Sequence, residues 1–155
     1  MSNQSTAVDD WVEKGACGQA NAADRDAFFT PERESRAKRV EREQYVVNRY
    51  CNWCPVRAEC SAGMARELYG IWGGTTELDR ALRALGLEVP ETMRPMTVRQ
   101  VVELTGISYH RINRQIRAGC IRCVGRAKKA SEGGEPARLF RFEDLVLAAW
   151  RAAAK

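Results

Sequence analysis

The sequence lacks several features that would settle its class at once. Its 155 residues include one histidine and five lysines, and no apolar run is long enough to cross a membrane. The polar stretch 1–10, which ends in two aspartates, excludes a secretory signal. We therefore expect a cytoplasmic protein with no membrane partner, whose six cysteines are reduced and serve ligand or redox roles rather than a disulfide scaffold.

Charge is distributed unevenly along the chain. Residues 1–90 hold 12 Lys and Arg against 14 Asp and Glu, a net charge of −2. Residues 91–155 hold 13 against 6, a net charge of +7. The basic half predicts a polyanionic partner, and the nearly neutral half predicts a different task. No internal repeat is visible, so the pattern favours two distinct modules.

Four of the six cysteines form a pattern typical of a metal site. Cys51 and Cys54 make a Cys-x2-Cys pair that Cys60 closely follows, and Cys17 stands 34 positions upstream of the pair. Cys51 and Cys54 lie one helical turn apart, so a helix end can present both sulfurs to one centre. Cys17 lies in a different segment, which the fold must bring close to the other three cysteines. This layout suits an iron–sulfur cluster, in which each iron takes one sulfur.

Two other interpretations of the cysteines stay open at this point. Structural zinc sites usually show two knuckle pairs, whereas one is present here and the lone histidine, His110, lies in the other half. A thioredoxin-like dithiol at Cys51-Asn52-Trp53-Cys54 would follow a strand in an α/β fold, and no βαβ pattern surrounds this pair. The spacing favours a cluster over zinc.

Cap and turn residues predict a mainly helical chain. In the first half we expect helices over 11–16, over 32–50 after a Thr30-Pro31 cap, from Pro55 to Gly70 with Cys60, Met64 and Leu68 on one face, and from Thr75 or Thr76 to Gly86. After a linker at 87–95 we expect a helix capped by Thr97 with Val98, Val101, Val102 and Leu104 inward, a turn at Thr105-Gly106-Ile107, a helix from Ser108 to Ala118, a strand at Ile121 and Cys123, a return strand over 139–142, and a last helix beginning at Asp144.

A family resemblance covers about residues 11–85. The four cysteines, the stretch Cys54-Pro55-Val56-Arg57 and the turn Gly70-Ile71-Trp72-Gly73-Gly74-Thr75 together resemble the WhiB-like (Wbl) family of bacterial regulators. The resemblance implies a [4Fe-4S] cluster held by Cys17, Cys51, Cys54 and Cys60. It also implies a redox- and nitric-oxide-sensitive transcription factor, not an enzyme, that docks on the C-terminal region of the primary sigma factor of RNA polymerase. The residues assigned to docking are Trp11, Phe28, Phe29, Gly70, Ile71, Trp72, Gly73 and Gly74.

The chain departs from that family in two respects. The stretch between Phe29 and Cys51 is long and highly charged, and a folded module takes the place of the usual short basic tail. That module, over about residues 96–150, resembles the helix-turn-helix of the MerR/excisionase superfamily at Gly106-Ile107-Ser108, Ile112 and Ile116-Arg117-Ala118-Gly119, with a wing-to-helix step at Arg141-Phe142-Glu143-Asp144-Leu145.

The resemblance of the basic module implies binding to double-stranded DNA. Helical spacing turns Ile107, Ile112 and Ile116 inward, which leaves a polar face for the major groove. Arginine can grip guanine and asparagine can grip adenine, while wing lysines add backbone contacts. The predicted DNA-binding residues are Ser108, Tyr109, His110, Arg111, Asn113, Arg114 and Arg117 on the second helix, and Arg126, Lys128 and Lys129 in the wing.

Cys120 and Cys123 form a second Cys-x2-Cys pair in an unfavourable setting. Residues three apart in a strand point to opposite faces, so we interpret both as turn and wing residues. The predicted fold is mainly α: a small helical cluster domain at 1–86, the linker at 87–95, and a winged helix-turn-helix domain with a short β-hairpin at 96–155. The alternative function is a zinc-stabilised, excisionase-like architectural DNA-binding protein, and a dithiol disulfide reductase is the third.

Overall fold

The computed structural model describes residues 10–128 and 134–154, without the side chain of Cys120. The chain divides into two compact units, the first ending at Arg80 and the second beginning at Ala81. This division falls inside a helix, ahead of residues 87–95, which contain no helix or strand. In the described ranges, no helix has the length and apolar character needed to cross a membrane. The elements are α1 (Ala22–Ala27), α2 (Arg36–Arg49), α3 (Arg57–Gly63), α4 (Glu77–Leu85), α5 (Val98–Thr105), α6 (Tyr109–Gln115), β1 (Cys123–Arg126), β2 (Arg138–Phe140) and α7 (Phe142–Ala153).

The chain is mainly helical, as predicted, but α2 begins later than expected. The Ser35 hydroxyl caps this helix by accepting a hydrogen bond from the Lys38 N–H at 3.3 Å. The predicted start after Thr30-Pro31 is wrong, because the Thr30 hydroxyl instead accepts a hydrogen bond from the Arg42 guanidinium at 3.1 Å. A tertiary contact has therefore displaced a local cap.

Helix α3 is shorter than predicted. It ends at Gly63, so Leu68 does not continue its face and Gly70 does not end it. A Cβ at Gly63 would lie 3.0 Å from Cζ2 of Trp11, which shows how closely the N-terminal segment packs on this helix. The helix predicted over 11–16 is a turn, followed by a 3₁₀ helix at Ala16–Gln19.

The first unit has a small core that includes a cysteine. Its ring pair is Phe28 and Tyr50, whose centroids are 5.6 Å apart. The hydroxyls of Tyr45 and Tyr50 both donate to the carboxylate of Asp24, which fastens α1 to α2. The buried residues are Ala20, Phe28, Val46, Tyr50, Cys51 and Ile71. Because Cys51 belongs to this core, the cysteine site lies directly against it.

The second unit begins with two well-capped helices. At α5, Thr97 and Gln100 form a reciprocal capping box, and Gly106 ends the helix in the left-handed region at φ +69°. At α6, the Ser108 hydroxyl accepts a hydrogen bond from the Arg111 N–H at 3.4 Å. These caps were predicted from the sequence. The chain then continues from α6 into a π-helical turn at Ile116–Cys120.

A hairpin and one buried helix complete the second unit. Strands β1 and β2 are antiparallel, and the backbones of Met96 and Phe140 exchange two hydrogen bonds of 2.9 Å. Helix α7 begins at Phe142, two residues earlier than predicted, and Asp144 pairs with Arg141 at 3.0 Å. The prediction that Leu104 faces inward is wrong, since it is 52% exposed. The core residues are Val98, Val101, Ile112, Ile116, Phe140, Leu145, Ala148 and Ala149.

Candidate metal centre

The four predicted ligand cysteines come from three segments of the first unit. Cys17 lies in the 3₁₀ helix Ala16–Gln19, Cys51 begins a second 3₁₀ helix at Cys51–Trp53, Cys54 ends it, and Cys60 lies in α3. The electrostatic neighbours of the Cys60 thiol include all three others, and those of Cys51 include Cys17 and Cys54. The fold therefore gathers sulfur atoms that are up to 43 positions apart in the sequence.

Burial dominates the acid–base behaviour of two of these thiols. Burial, together with smaller contributions from the neighbouring cysteines, raises the pKa of Cys60 to about 11, although the backbone amide of Gly73 opposes the shift. Burial likewise raises the pKa of Cys51. Crowded thiolates repel one another, so a bound cation is needed to hold several of them ionised together. Cys17, Cys51, Cys54 and Cys60 are all free of disulfides.

Backbone amides act on three of the four sulfurs. The Ala16 N–H donates to Sγ of Cys54 at 3.5 Å, and the backbone amides of Gly73 and Gly74 lower the pKa values of Cys60 and Cys51 against the effect of burial. Such N–H···S bonds orient thiolate ligands and adjust the reduction potential of an iron–sulfur cluster. The surroundings of the sulfurs therefore suit ligands more than structural thiols.

The chemistry of the donors agrees with either metal considered from the sequence. Within residues 10–128 and 134–154, no three His, Cys, Asp or Glu side chains are gathered closely enough to hold a single metal ion. A tetrahedral zinc site with Zn–S bonds of about 2.3 Å would bring its sulfurs within about 3.8 Å of one another. A cluster gives each sulfur its own iron, so its four sulfurs do not have to meet around a single ion.

The glycine turn predicted from the sequence packs directly against α3. Gly70, Gly73 and Gly74 have φ values of +81°, +57° and +81°, a region that disfavours side chains. A Cβ at Gly73 would lie 2.5 Å from the backbone nitrogen of Ser61. Only glycine permits this approach, which brings the amides of the turn to the cysteines.

Two charged residues of α4 hold the other end of the turn, and sequence reasoning missed both. The buried Arg80 guanidinium donates to the carbonyls of Gly70 (2.6 Å), Thr75 and Glu67 (both 2.8 Å). The Glu77 carboxylate accepts from the Gly70 N–H at 2.8 Å. The sequence signal that could have indicated this role is the pair Glu77 and Arg80, an acidic and a basic residue three positions apart just after the glycine turn. Burial lowers the pKa of Arg80, and neighbouring acids oppose that shift.

The residues predicted to dock a sigma factor separate into supporting and exposed groups. Phe28 and Ile71 are 7% and 2% exposed, so their side chains support the surface and do not form it, which corrects the prediction for those two. Phe29 is 48% exposed and meets Trp72 edge to face, with centroids 6.1 Å apart. The Trp72 indole N–H donates to the Tyr69 carbonyl at 2.7 Å. We call Phe29, Tyr69 and Trp72 the aromatic patch.

The predicted DNA-binding residues of the second unit are mostly accessible. Asn113 is the exception at 8% exposure, so the prediction that it points outward to read a base is wrong. It lies between the core residues Ile112 of α6 and Ile116 of the π-helical turn, so the buried side of this segment is wider than the isoleucines alone predicted. Arg111 is half-buried, and Lys129 lies outside the described residues. The exposed members are Ser108, Tyr109, His110, Arg114, Arg117, Arg126 and Lys128.

Of the second Cys-x2-Cys pair, the structure describes the side chain of Cys123 only. Cys123 is exposed in β1, and its Sγ lies 3.1 Å from the Gly125 carbonyl oxygen. The side chain of Cys120 lies outside the described structure. The interpretation of this pair as turn and wing residues stays a prediction.

Known proteins match about half of the chain. The family described as "Transcription factor WhiB" matches residues 11–82. Transcriptional regulator WhiD of Streptomyces coelicolor is 45% identical over 73 residues, which are 46% of this chain and 62% of that protein. Redox-responsive transcriptional regulator WhiB3 of Mycolicibacterium smegmatis is 39% identical over 75 residues, 47% of this chain and 74% of that protein.

A third relative comes from Mycobacterium tuberculosis. Redox- and pH-responsive transcriptional regulator WhiB3 is 35% identical over 78 residues, 49% of this chain and 72% of that protein. No solved structure matches the chain. The chain spans less than two thirds of WhiD and more than two thirds of the two WhiB3 proteins. With this coverage at these identities, and with the matched segment carrying all four gathered cysteines, the chain belongs to the WhiB family of transcription factors.

Proposed function

We propose that this protein is a redox- and nitric-oxide-sensitive transcriptional regulator with a [4Fe-4S] cluster on Cys17, Cys51, Cys54 and Cys60. The carrying observation is that the Cys60 thiol has all three other cysteines as electrostatic neighbours, and that the Ala16 N–H donates a hydrogen bond to Sγ of Cys54. When bound, the cluster supplies a centre that oxygen and nitric oxide can degrade. The protein supplies the ligands, their orientation and a glycine turn that covers two of them.

The aromatic patch supports docking on the C-terminal region of the primary sigma factor of RNA polymerase. Phe29 and Trp72 are rigid aromatic side chains at the glycine turn, and large aromatics at such positions are frequent interface anchors. The backbone amides of this turn lower the pKa values of Cys51 and Cys60. Loss of the cluster would therefore loosen the surface that the sigma factor meets.

The basic second unit supports binding to double-stranded DNA in the manner of a winged helix-turn-helix. Its described order is α5, a glycine turn, α6, the β1–β2 hairpin and α7. Exposed arginines on α6 and in β1 provide the positive charge that a phosphate backbone attracts. We infer that this unit selects or blocks promoter DNA while the first unit holds the polymerase.

Metal analysis after anaerobic purification tests the cluster. We expect a brown protein with about four irons and four acid-labile sulfides per chain. Cys60→Ser should abolish both, whereas Cys123→Ser, which removes an exposed thiol of β1, should leave both unchanged. One zinc per chain would instead support the architectural DNA-binding alternative. Metal-free protein that reduces insulin would support the disulfide reductase.

Co-expression with the primary sigma factor tests the docking. We expect a brown complex to co-purify, and Trp72→Ala to abolish it while the iron content stays near that of the parent. Val40→Ala, which trims an exposed apolar residue of α2, is the matched control and should not alter co-purification. Equal recovery of the Trp72→Ala complex would contradict the proposed surface.

A further inference from the structure

Arg57, the first residue of α3, joins two segments that both carry groups of the cysteine site. Its Nη1 donates to Oδ1 of Asn52 at 3.0 Å, inside the 3₁₀ helix Cys51–Trp53. Its Nε donates to the carbonyl oxygen of Gly73 at 3.2 Å, in the glycine turn. One guanidinium therefore spans from the Cys-x2-Cys segment to the turn.

The turn is shaped to accept this guanidinium. A Cβ at Gly74 would lie 2.7 Å from Nη2, 3.0 Å from Nε and 3.1 Å from Cζ of Arg57, so the guanidinium occupies the space that a side chain would take. A Cβ at Gly73 would also lie 2.6 Å from the Arg57 carbonyl oxygen. The two glycines thus make room for both the side chain and the backbone of the same residue.

The amides next to these contacts are the ones that face sulfur. The backbone amide of Gly73 lowers the pKa of the Cys60 thiol and that of Gly74 lowers the pKa of the Cys51 thiol, while Arg57 holds the carbonyl of Gly73. Fixing that carbonyl fixes the peptide plane between Gly73 and Gly74, because the peptide group is planar. The orientation of the Gly74 amide toward Cys51 then depends on Arg57.

We propose that Arg57 is a positioning residue that fastens the Gly73–Gly74 turn across the cysteines and thereby sets the lifetime of the metal group they hold. Only the claim about the lifetime of the metal group rests on the proposed function; the claim that Arg57 fastens the turn does not. The planar guanidinium reaches two acceptors at once, and a lysine ammonium does not reproduce that fork. Its positive charge also lies beside ligands that carry negative charge once metallated.

The experiment compares Arg57→Gln and Arg57→Lys with Arg66→Gln, which removes an exposed arginine elsewhere in the first unit. The first readout is hydrogen exchange of the peptide that contains residues 70–75, measured on protein as purified anaerobically. The second is the rate at which cluster absorbance decays in air. We expect both Arg57 variants to raise exchange and decay roughly fivefold to tenfold, as the loss of one or two hydrogen bonds predicts. Arg66→Gln should change neither.

Asn52→Ala provides a milder variant, because it removes one anchor and keeps the arginine. We expect it to raise turn exchange by a smaller factor, and far-UV circular dichroism should match that of the parent. Parent-like hydrogen exchange in Arg57→Gln would overturn the proposal. Parent-like exchange and decay in Arg57→Lys would also contradict it, because they would show that a positive charge is sufficient and that the two hydrogen bonds of the guanidinium are not needed. The hydrogen-exchange measurement does not depend on which metal is bound. If the protein contained zinc in place of a cluster, the proposed function would be wrong, but hydrogen exchange would still test whether Arg57 holds the turn.

Discussion

The two units of this chain are stabilised in different ways. The first has six buried core residues, one of which is a cysteine, and its turn is held by the buried cation Arg80 and by Glu77. The second has eight apolar core residues, and ten of the twelve residues of α7 are buried. Apolar burial is sufficient to fold small helical domains, whereas polar contacts between irregular segments depend on every partner being in place.

The comparison predicts that only the first unit depends on metal. Its proposed sulfur ligands belong to 3₁₀ turns and to a helix of seven residues, elements too short to be stable alone. A cofactor that joins three such segments contributes its binding energy to folding. In the second unit the apolar contacts of α5, α6 and α7 serve that purpose.

Removal of the metal should therefore have the largest effect. After oxidation and chelation, hydrogen exchange should rise by orders of magnitude in peptides from residues 11–76 and stay near the starting rates in peptides from α5, α6 and α7. Parent-like protection of the cysteine segments in metal-free protein would break the comparison, since it would mean that the first unit folds without its cofactor.

Leu145→Ala should be the most damaging single change in the second unit. Leu145 is fully buried in the core, and removing its methyl groups should lower the free energy of unfolding by about 2–5 kcal/mol. Leu104→Ala is the matched control, because Leu104 is 52% exposed and should cost at most about 0.5 kcal/mol. Urea unfolding followed by a probe in the second unit measures both. Similar losses at the two positions would contradict the assigned core.

Gly73→Ala tests how tightly the turn of the first unit is packed. The new Cβ would meet backbone atoms of Ser61 and Arg57 at 2.5 and 2.6 Å, in addition to an unfavourable positive φ. Gly106→Ala is the control in the second unit, since φ is +69° there and no atom lies within 4 Å of the new Cβ. We expect Gly73→Ala to lower stability by about 1–3 kcal/mol more than Gly106→Ala. Equal effects in thermal unfolding would mean that φ alone matters.

Local chemistry predicted much of the second unit. The caps at Thr97 and Ser108 and the left-handed Gly106 depend on neighbouring residues, so the sequence signals them directly. In the first unit the cysteine spacing and the glycine turn were equally readable. Their gathering could be expected from the spacing alone, because three cysteines within ten residues and a fourth upstream are typical of ligands to one centre.

Contacts between distant residues were the part that could not be predicted. Thr30 has the pattern of a helix cap, but Arg42 from the next helix binds its hydroxyl. Arg80 carried no prediction from the sequence, and in the structure its guanidinium binds carbonyls of the preceding loop. Asn113 looked like a base-reading residue, and the width of the buried face of α6 encloses it. Each depends on where another segment lies, which periodicity does not encode.

Glu43 should make the stability of the first unit depend on pH. Burial raises the pKa of this carboxyl from 4.5 to about 7, although Arg42 and Arg39 oppose the shift and Asp79 and Glu77 add to it. A raised pKa favours the neutral form in the folded state, so stability should fall as pH rises from about 4.5 to about 7.

The glutamine variant isolates this effect. Glu43→Gln should be more stable than the parent by about 1–3 kcal/mol at pH 8 and nearly equal at pH 4.5, in urea unfolding of the first unit. Glu41→Gln, at an exposed position of the same helix, should show no such difference. A constant gap between Glu43→Gln and the parent at all pH values would contradict the raised pKa.

The smallest expected effect concerns DNA binding, and it compares the loss of one positive charge from each of the two units. Lys128 is exposed beyond the end of β1, and Lys14 is exposed in the first unit, where it pairs with Asp10 at 2.8 Å. Loss of one phosphate contact in Lys128→Ala should weaken binding to every duplex alike and reduce the salt slope by about 0.9. Lys14→Ala should leave the slope unchanged. Because both changes remove one positive charge, equal effects would show that net charge attracts the DNA, and a slope change confined to Lys128 would locate the contact in the basic unit.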